Sequence, residues 1–476
     1  MIPTTAVRRP LTRAALGELD ASVATAPPIR IVHIGLGAFH RAHQAWYTAN
    51  AADSAEWGIA AFTGRSAVTA EQLRPQDGLY TLIVRSEEGD SLSVVPSLAE
   101  VVDGADLDRF VALVSAPSTA VVTLTITEPG YRLTGDGSPD PADEALAADV
   151  AWLTDAFSHD PLPATPPGTG PTTSLGRLLL GLEARRRAEA APLAVVSCDN
   201  IPDNGAFVRS GLLALAESAG AGLAAWIEDA VSFVSTSVDR ITPKIVPDDI
   251  ATVERLTGWQ DAAPVVTEPF SDWVLSGGFP AGRPAWETAG ARFVTDIEPF
   301  ERRKLWLLNG AHSLLAYTGM LRGYQTVAEA IGDEQLREWV EQLWDEAGNH
   351  LPAPELDLPS YRRDLLSRFG NSRIEHRLAQ IGMEGVSKLR VRAAAIARAE
   401  RLEGRGGEAA ARAIAAWIAL VMRGSVPADA HADAVSACLD GPAGTIVPRL
   451  IELLDPGLAA DPPFVETVAA QLAASG

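Results

Sequence analysis

The spacing of hydrophobic positions changes character part-way along the chain. Up to residue 290, short runs dense in Val, Ile, Leu and Ala alternate with longer stretches of helical spacing. The runs 31–34, 58–62, 80–84, 120–126 and 193–197 predict strands, and intervals such as 106–114 and 175–188 predict helices. Strands alternating with helices predict an α/β fold built on a doubly wound sheet, in which ligands bind beyond the carboxyl ends of the strands. Gly35, Thr127 and Asn200 fall at such ends. The segment 161–173 is rich in Pro, Gly and Thr and predicts a surface loop. After residue 290 the strand signal fades. Helical patterns then cover 298–320, 326–348, 360–369, 386–403, 406–422 and 443–454. The pattern therefore predicts two domains, 1–290 and a mainly α-helical 291–476, with no internal repeat.

Composition narrows the range of partners. A chain of 476 residues can bury a large core in two or three domains. Its net charge of −22 argues against nucleic acid and against an anionic membrane surface, both of which select basic footprints. Any affinity for anions has to come from local basic residues and backbone amides. Two cysteines, Cys198 and Cys438, are too few for a disulfide framework or a cysteine-built zinc site. Residues 1–28 mix Arg8, Arg9, Arg13 and Glu18 with no apolar leader, and the run 413–422 is too short to cross a bilayer. The expectation is a cytoplasmic protein acting on small molecules.

Two segments carry chemistry. Residues 304–312 read Lys-Leu-Trp-Leu-Leu-Asn-Gly-Ala-His, with Glu301 just ahead. On an α-helical wheel Glu301, Lys304, Asn309 and His312 share an arc of roughly 140°. An amine, an amide and an imidazole aimed together from apolar surroundings suit a site, and a lysine in such a setting can serve as a general base. An amphipathic helix with a wet polar face fits the spacing equally well. The second segment is the run 30–34 followed by Gly35-Leu36-Gly37-Ala38-Phe39-His40-Arg41-Ala42-His43-Gln44. Strand, glycine turn and helix start form a dinucleotide-binding arrangement, although His40 stands where its third glycine belongs. Three histidines nearby, His33, His40 and His43, lack cysteine or acidic companions at metal spacing, so no metal is expected.

These segments, with Thr125 to Tyr131, Ser197 to Gly205, Val238 to Ile241, Glu268 to Val274, Gly282 to Pro284 and Arg368 to Asn371, resemble the mannitol dehydrogenase family of long-chain, metal-independent polyol dehydrogenases. That family includes mannitol 2-dehydrogenase, arabinitol dehydrogenase and fructuronate reductase (D-mannonate oxidoreductase). The resemblance implies a Rossmann-like first domain, a helical second domain and reversible hydride transfer between a nicotinamide cofactor and C2 of a six-carbon polyol or aldonate. It assigns Lys304 as base and Asn200 and Asn309 as donors to the reacting oxygen. His312 would orient the substrate, and Glu301 is a candidate proton relay. Ile34, Gly35, Leu36, Gly37, Ala38, Phe39, His40, Arg41, Arg65 and Thr127 would line the cofactor.

Cofactor and substrate are the finer expectations. The family mostly uses NAD, yet the second strand is followed by Thr63-Gly64-Arg65-Ser66 with no acid until Glu71, so Arg65 and Ser66 leave NADP open. Asp239 and Arg240 either bind substrate hydroxyls or pair internally. Lys388 matches a family lysine near the substrate, and Gln380 stands where mannitol dehydrogenases generally carry arginine. With Arg377 or Arg373 assisting, Lys388 suits a carboxylate, which favours D-mannonate/D-fructuronate over D-mannitol/D-fructose. Arg390, where fructuronate reductases usually have proline, departs from that pattern. A polyol dehydrogenase of another specificity and a catalytically silent nucleotide-binding sensor are the alternatives. The triplet Arg185-Arg186-Arg187 is expected on a solvated helix face.

Overall fold

The structure, a computed structural model, describes residues 8–166, 168–220, 222–351 and 354–474, so the first seven residues of the stretch read above for a leader lie outside it. The chain divides into two compact units, Met1–Ile297 and Glu298–Gly476. No helix among the described residues is long and apolar enough to cross a membrane.

The first unit is built on an eight-stranded sheet. Its strands are β1 Ile29–Ile34, β2 Gly58–Phe62, β3 Leu98–Val102, β4 Val121–Leu124, β5 Leu193–Ser197, β6 Val231–Asp239, β7 Asp272–Ser276 and β8 Arg292–Phe293. They lie in the order 3-2-1-4-5-6-7-8. The first six are parallel, the doubly wound arrangement, and β7 pairs antiparallel with β6. Side chains alternate between the faces of a strand. Val32, Ile34, Phe62, Val122, Leu124 and Val195 therefore feed one apolar core, while Ile31, Ala61, Val121, Ala194 and Val196 feed a second on the other face. Strands covered on both faces read as continuous apolar runs, which is why β1, β2, β4 and β5 stand out in the sequence.

Three expectations are corrected. The run 80–84 is a strand, Tyr80–Ser86, but it leaves the main sheet and pairs with Gly89–Val95 and Val265–Thr267 in a separate three-stranded one. The first unit extends past residue 290, because β8 pairs with β7. The arginine triplet is not a solvated face. Arg185, near the end of the helix Ser174–Arg187, is fully buried and donates to the carbonyls of Val114, Ala116, Thr119 and Ala191. Arg186 and Arg187 both pair with the buried Glu183.

Two helices of this unit matter below. The short α1, Ala38–Ala42, follows the glycine turn, and α2, Ser174–Arg187, is capped by the Thr173 hydroxyl on the Gly176 amide.

The second unit is helical. The pattern over 298–320 resolves into α3 Glu298–Arg303, a π-helical turn Lys304–Asn309 and α4 Gly310–Leu321. The pattern over 326–348 breaks at Asp333, whose carboxylate caps the next helix, Glu334–Gly348. Further on come α5 Leu358–Gly370, α6 Leu378–Ile381, α7 Gly385–Val391, α8 Ala393–Leu402 and α9 Glu408–Met422. The run 386–403 is thus two helices, broken at Arg392, whose backbone (φ −105°, ψ −97°) is non-helical. The late apolar run belongs to α9, which is buried from Ala409 to Ala411 and from Ala413 to Val421.

Candidate functional site

In the first unit, the parallel register aligns Ile34 with Phe62 and Leu124, and Leu124 with Ser197, so these strand ends share one edge. Gly35, Arg65, Thr127, Asn200 and Asp239 all follow or end strands on that edge. Gly35 has φ +109°, and a Cβ there would stand 2.3 Å from the Thr125 carbonyl oxygen, so only glycine fits. The Gly35 and Leu36 amides donate to the Phe62 carbonyl at 3.0 and 2.9 Å, and the Thr125 hydroxyl donates to the Gly35 carbonyl at 2.7 Å. Gly37 opens α1, and a Cβ there would meet only the Gly35 carbonyl, at 3.6 Å. That open approach beside free helix-start amides fits a pyrophosphate.

The residues around this turn divide their labour. Ile34 and Leu36 are buried, Phe39 is half-buried and Ala38 is exposed. His40 is fully buried and stacks on His33 with centroids 3.3 Å apart. His33 in turn meets the Thr123 and Thr125 hydroxyls. His43 contacts the Asp272 carbonyl. His33, His40 and His43 thus lie together beneath the turn. Arg41 donates to the Gly37 and Ala263 carbonyls and lies over the Tyr80 ring. Thr127 and Asn200 are exposed, as are Gly64, Arg65 and Ser66 after β2. Asp239 and Arg240 are buried. Arg240 donates to the Ala42 and Glu268 carbonyls and lies over the Trp46 ring, the internal pairing that was one of its two expected arrangements. A pair not singled out in the sequence supports Asn200. The buried Tyr131 hydroxyl donates to the Asp199 carboxylate, whose other oxygen accepts from the Ile201 amide.

In the second unit, the π-helical turn corrects the wheel drawn from the sequence. A π turn holds more residues than an α turn, so each residue advances by less than the 100° assumed. Trp306, Leu307 and Leu308 are buried, while Lys304 and Asn309 remain half-buried on the other side. The Trp344 indole donates to the Leu307 carbonyl at 2.8 Å and so holds this turn from behind. Such turns concentrate at functional positions. Glu301 lies on α3 just ahead.

His312, on α4, is buried, and its Nε2 has no hydrogen-bond partner among the described residues. It packs against Phe369 and His376, with centroids 4.9 and 4.8 Å away. Burial pushes its pKa well below the usual histidine value, and the neighbouring His376, Arg368, Arg392 and Lys388 push the same way. Its protonated form is thereby disfavoured. Lys388 is half-buried and its ammonium donates to the Ile381 carbonyl at 3.0 Å. Burial lowers its pKa, as does Arg392, while Glu384 and Asp429 oppose the shift. Gln380 and Arg377 are exposed, and Arg377 is ion-paired with Glu375 at 2.5 Å. Arg392 was not singled out in the sequence, because it falls inside what reads as one continuous helix.

The chain matches two family models, the mannitol dehydrogenase Rossmann domain over residues 29–288 and the mannitol dehydrogenase C-terminal domain over 296–440. The chain belongs to the mannitol dehydrogenase family. It is 36% identical over 371 residues to the D-mannonate oxidoreductase of Escherichia coli (strain K12), covering 76% of this chain and 73% of that one. It is also 36% identical over 371 residues to the mannitol 2-dehydrogenase of Emericella nidulans, covering 75% and 71%. Pseudomonas fluorescens mannitol 2-dehydrogenase, solved as a ternary complex with NAD and D-mannitol, superposes with a TM-score of 0.75 at 31% identity over 95% of this chain and 92% of that one. As a mannitol dehydrogenase family member the chain is of an oxidoreductase lineage acting on CH–OH groups. Its first unit is the Rossmann-type domain and its second is the mainly helical one.

Proposed function

We propose that the chain is an NAD-dependent, metal-independent oxidoreductase that interconverts D-mannonate and D-fructuronate, with hydride transfer at C2 of the ketose. The glycine turn suits a dinucleotide because Gly37 leaves the backbone open beside the start of α1. A nicotinamide cofactor whose pyrophosphate lay there would supply the hydride acceptor. Lys304 takes the hydroxyl proton as general base, and Glu301 passes it on. Asn200 and Asn309 donate N–H groups to the oxygen at the reacting carbon, where charge develops. His312, kept neutral by burial, bonds a neighbouring hydroxyl and fixes the substrate's orientation.

The observation that carries the choice of a sugar acid is the company of His312. His376, Arg368, Arg392 and Lys388 all act on it electrostatically, in a chain whose net charge is −22. Glu384 and Asp429 offset Lys388, so the cation that favours an anionic ligand at that place is Arg392, which has no acidic partner among the described residues. Hydrogen bonds to charged groups contribute about 1.5–3 kcal/mol against roughly 1 kcal/mol for neutral ones, a difference worth on the order of tenfold in specificity. The test compares kcat/KM for D-fructuronate and D-fructose, each with NADH and NADPH. The expected result is a preference of tenfold or more for fructuronate. A preference for fructose reverses the reading in favour of a mannitol 2-dehydrogenase. The NADPH arm addresses Arg65, which is exposed after β2 where an NAD-selective site places an acid.

A further inference from the structure

We infer that Arg392 anchors the carboxylate of the sugar-acid substrate and sets the enzyme's preference for acids over neutral ketoses. This rests on the sugar-acid reading above.

Arg392 occupies the break between α7 and α8, where its non-helical backbone turns the side chain back toward α4. Its Nη1 donates to the Asn309 carbonyl at 3.2 Å and to the Ser313 hydroxyl at 2.9 Å. Those two contacts flank His312 along the helix. The buried Nε has no partner. No hydrogen bond to Nη2 and no ion pair to this guanidinium occur among the described residues. The unengaged Nε–Nη2 edge is one that matches both oxygens of a carboxylate.

Arg392 is half-buried, and a charge partly removed from water is costly to leave uncompensated. Burial lowers the Arg392 pKa to about 10, and the opposing influence comes from the Tyr317 phenol rather than from a carboxylate. The contrast with Lys388 is direct. The Lys388 charge is offset by Glu384 and Asp429, and its ammonium is engaged by the Ile381 carbonyl. Of Lys388 and Arg392, Arg392 is the one with no acidic partner among the described residues. An incoming carboxylate would supply one, whereas a hydroxymethyl group would not.

The experiment measures kcat/KM for D-fructuronate and for D-fructose in the wild type, Arg392→Gln and Arg392→Met, with the Tm of each. Gln keeps a donor toward the Asn309 carbonyl but carries no charge, so it covers the case in which Met does not fold. The fructuronate-to-fructose ratio is expected to fall on the order of 10- to 100-fold in either variant, chiefly through KM for fructuronate. Loss of activity toward both substrates in equal proportion, with a wild-type ratio that favours fructuronate, would show that Arg392 only braces the Asn309–Ser313 turn and would overturn the assignment alone. A wild-type ratio that favours fructose would instead remove the sugar-acid reading itself, and this assignment with it.

Discussion

Lys304 stands half-buried at the start of the π-helical turn, directly after the fully buried Arg303. Lys304, Asn309 and His312 could be picked out because an amine, an amide and an imidazole within one apolar stretch is an unusual combination. The arginines were misread for a reason that generalises. A run such as Arg185-Arg186-Arg187 gives no hint of which member is covered, since the four carbonyls that hold Arg185 come from segments 114–119 and 191. Arg240 and Arg392 are likewise defined by partners distant in sequence. The role given to Lys304 leads to an expected outcome at this scale. Replacing a general base typically costs about 10²–10⁴-fold in rate. Lys304→Ala should therefore lose alcohol oxidation by that factor while NADH binding, followed by fluorescence titration, stays within a few-fold of wild type. A small primary amine in the buffer should restore part of the rate. Near wild-type turnover would remove Lys304 from the role of base.

Elements were legible where their period is regular. The strands β1, β2, β4 and β5 announce themselves as apolar runs because both faces of the sheet are covered. The π-helical turn Lys304–Asn309 was invisible, since a wheel drawn at a fixed 100° per residue has no means of registering a wider turn. The breaks at Asp333 and Arg392 were lost for a related reason, as apolar spacing runs on across both. The strand–turn–helix unit offers the cleanest test at this scale. Gly35→Ala forces an unfavourable φ, costing about 1–3 kcal/mol, and drives a methyl group toward the Thr125 carbonyl 2.3 Å away. The variant should show a lowered Tm and at least tenfold weaker NADH binding by titration. Unchanged binding would mean that the cofactor does not approach this turn.

For the whole molecule, the division into a sheet-based unit and a helical unit was readable from the fading of the strand signal. Its position was less so, because β8 is two residues long and too short to leave a periodic trace. The stacked pair His33–His40, which underlies the glycine turn, has a consequence for the entire folding equilibrium. Burial lowers the His33 pKa from 6.5 to about 3, and it drives His40 in the same direction. Between those limits the unfolded chain takes up protons that the folded chain refuses. Unfolding is then proton-coupled, and stability falls as pH drops below about 6.5, ahead of the range in which carboxylates titrate. The expected outcome is a Tm that is level from pH 8 to 7 and declines steadily from pH 6.5 to 5, with at least one proton absorbed per molecule unfolded. A Tm that stayed flat down to pH 5 would contradict it. The same two rings that pack tightly under the glycine turn, joined by the buried His312, thus set an acid limit on the protein's working range through the folding equilibrium, separately from any step of the reaction.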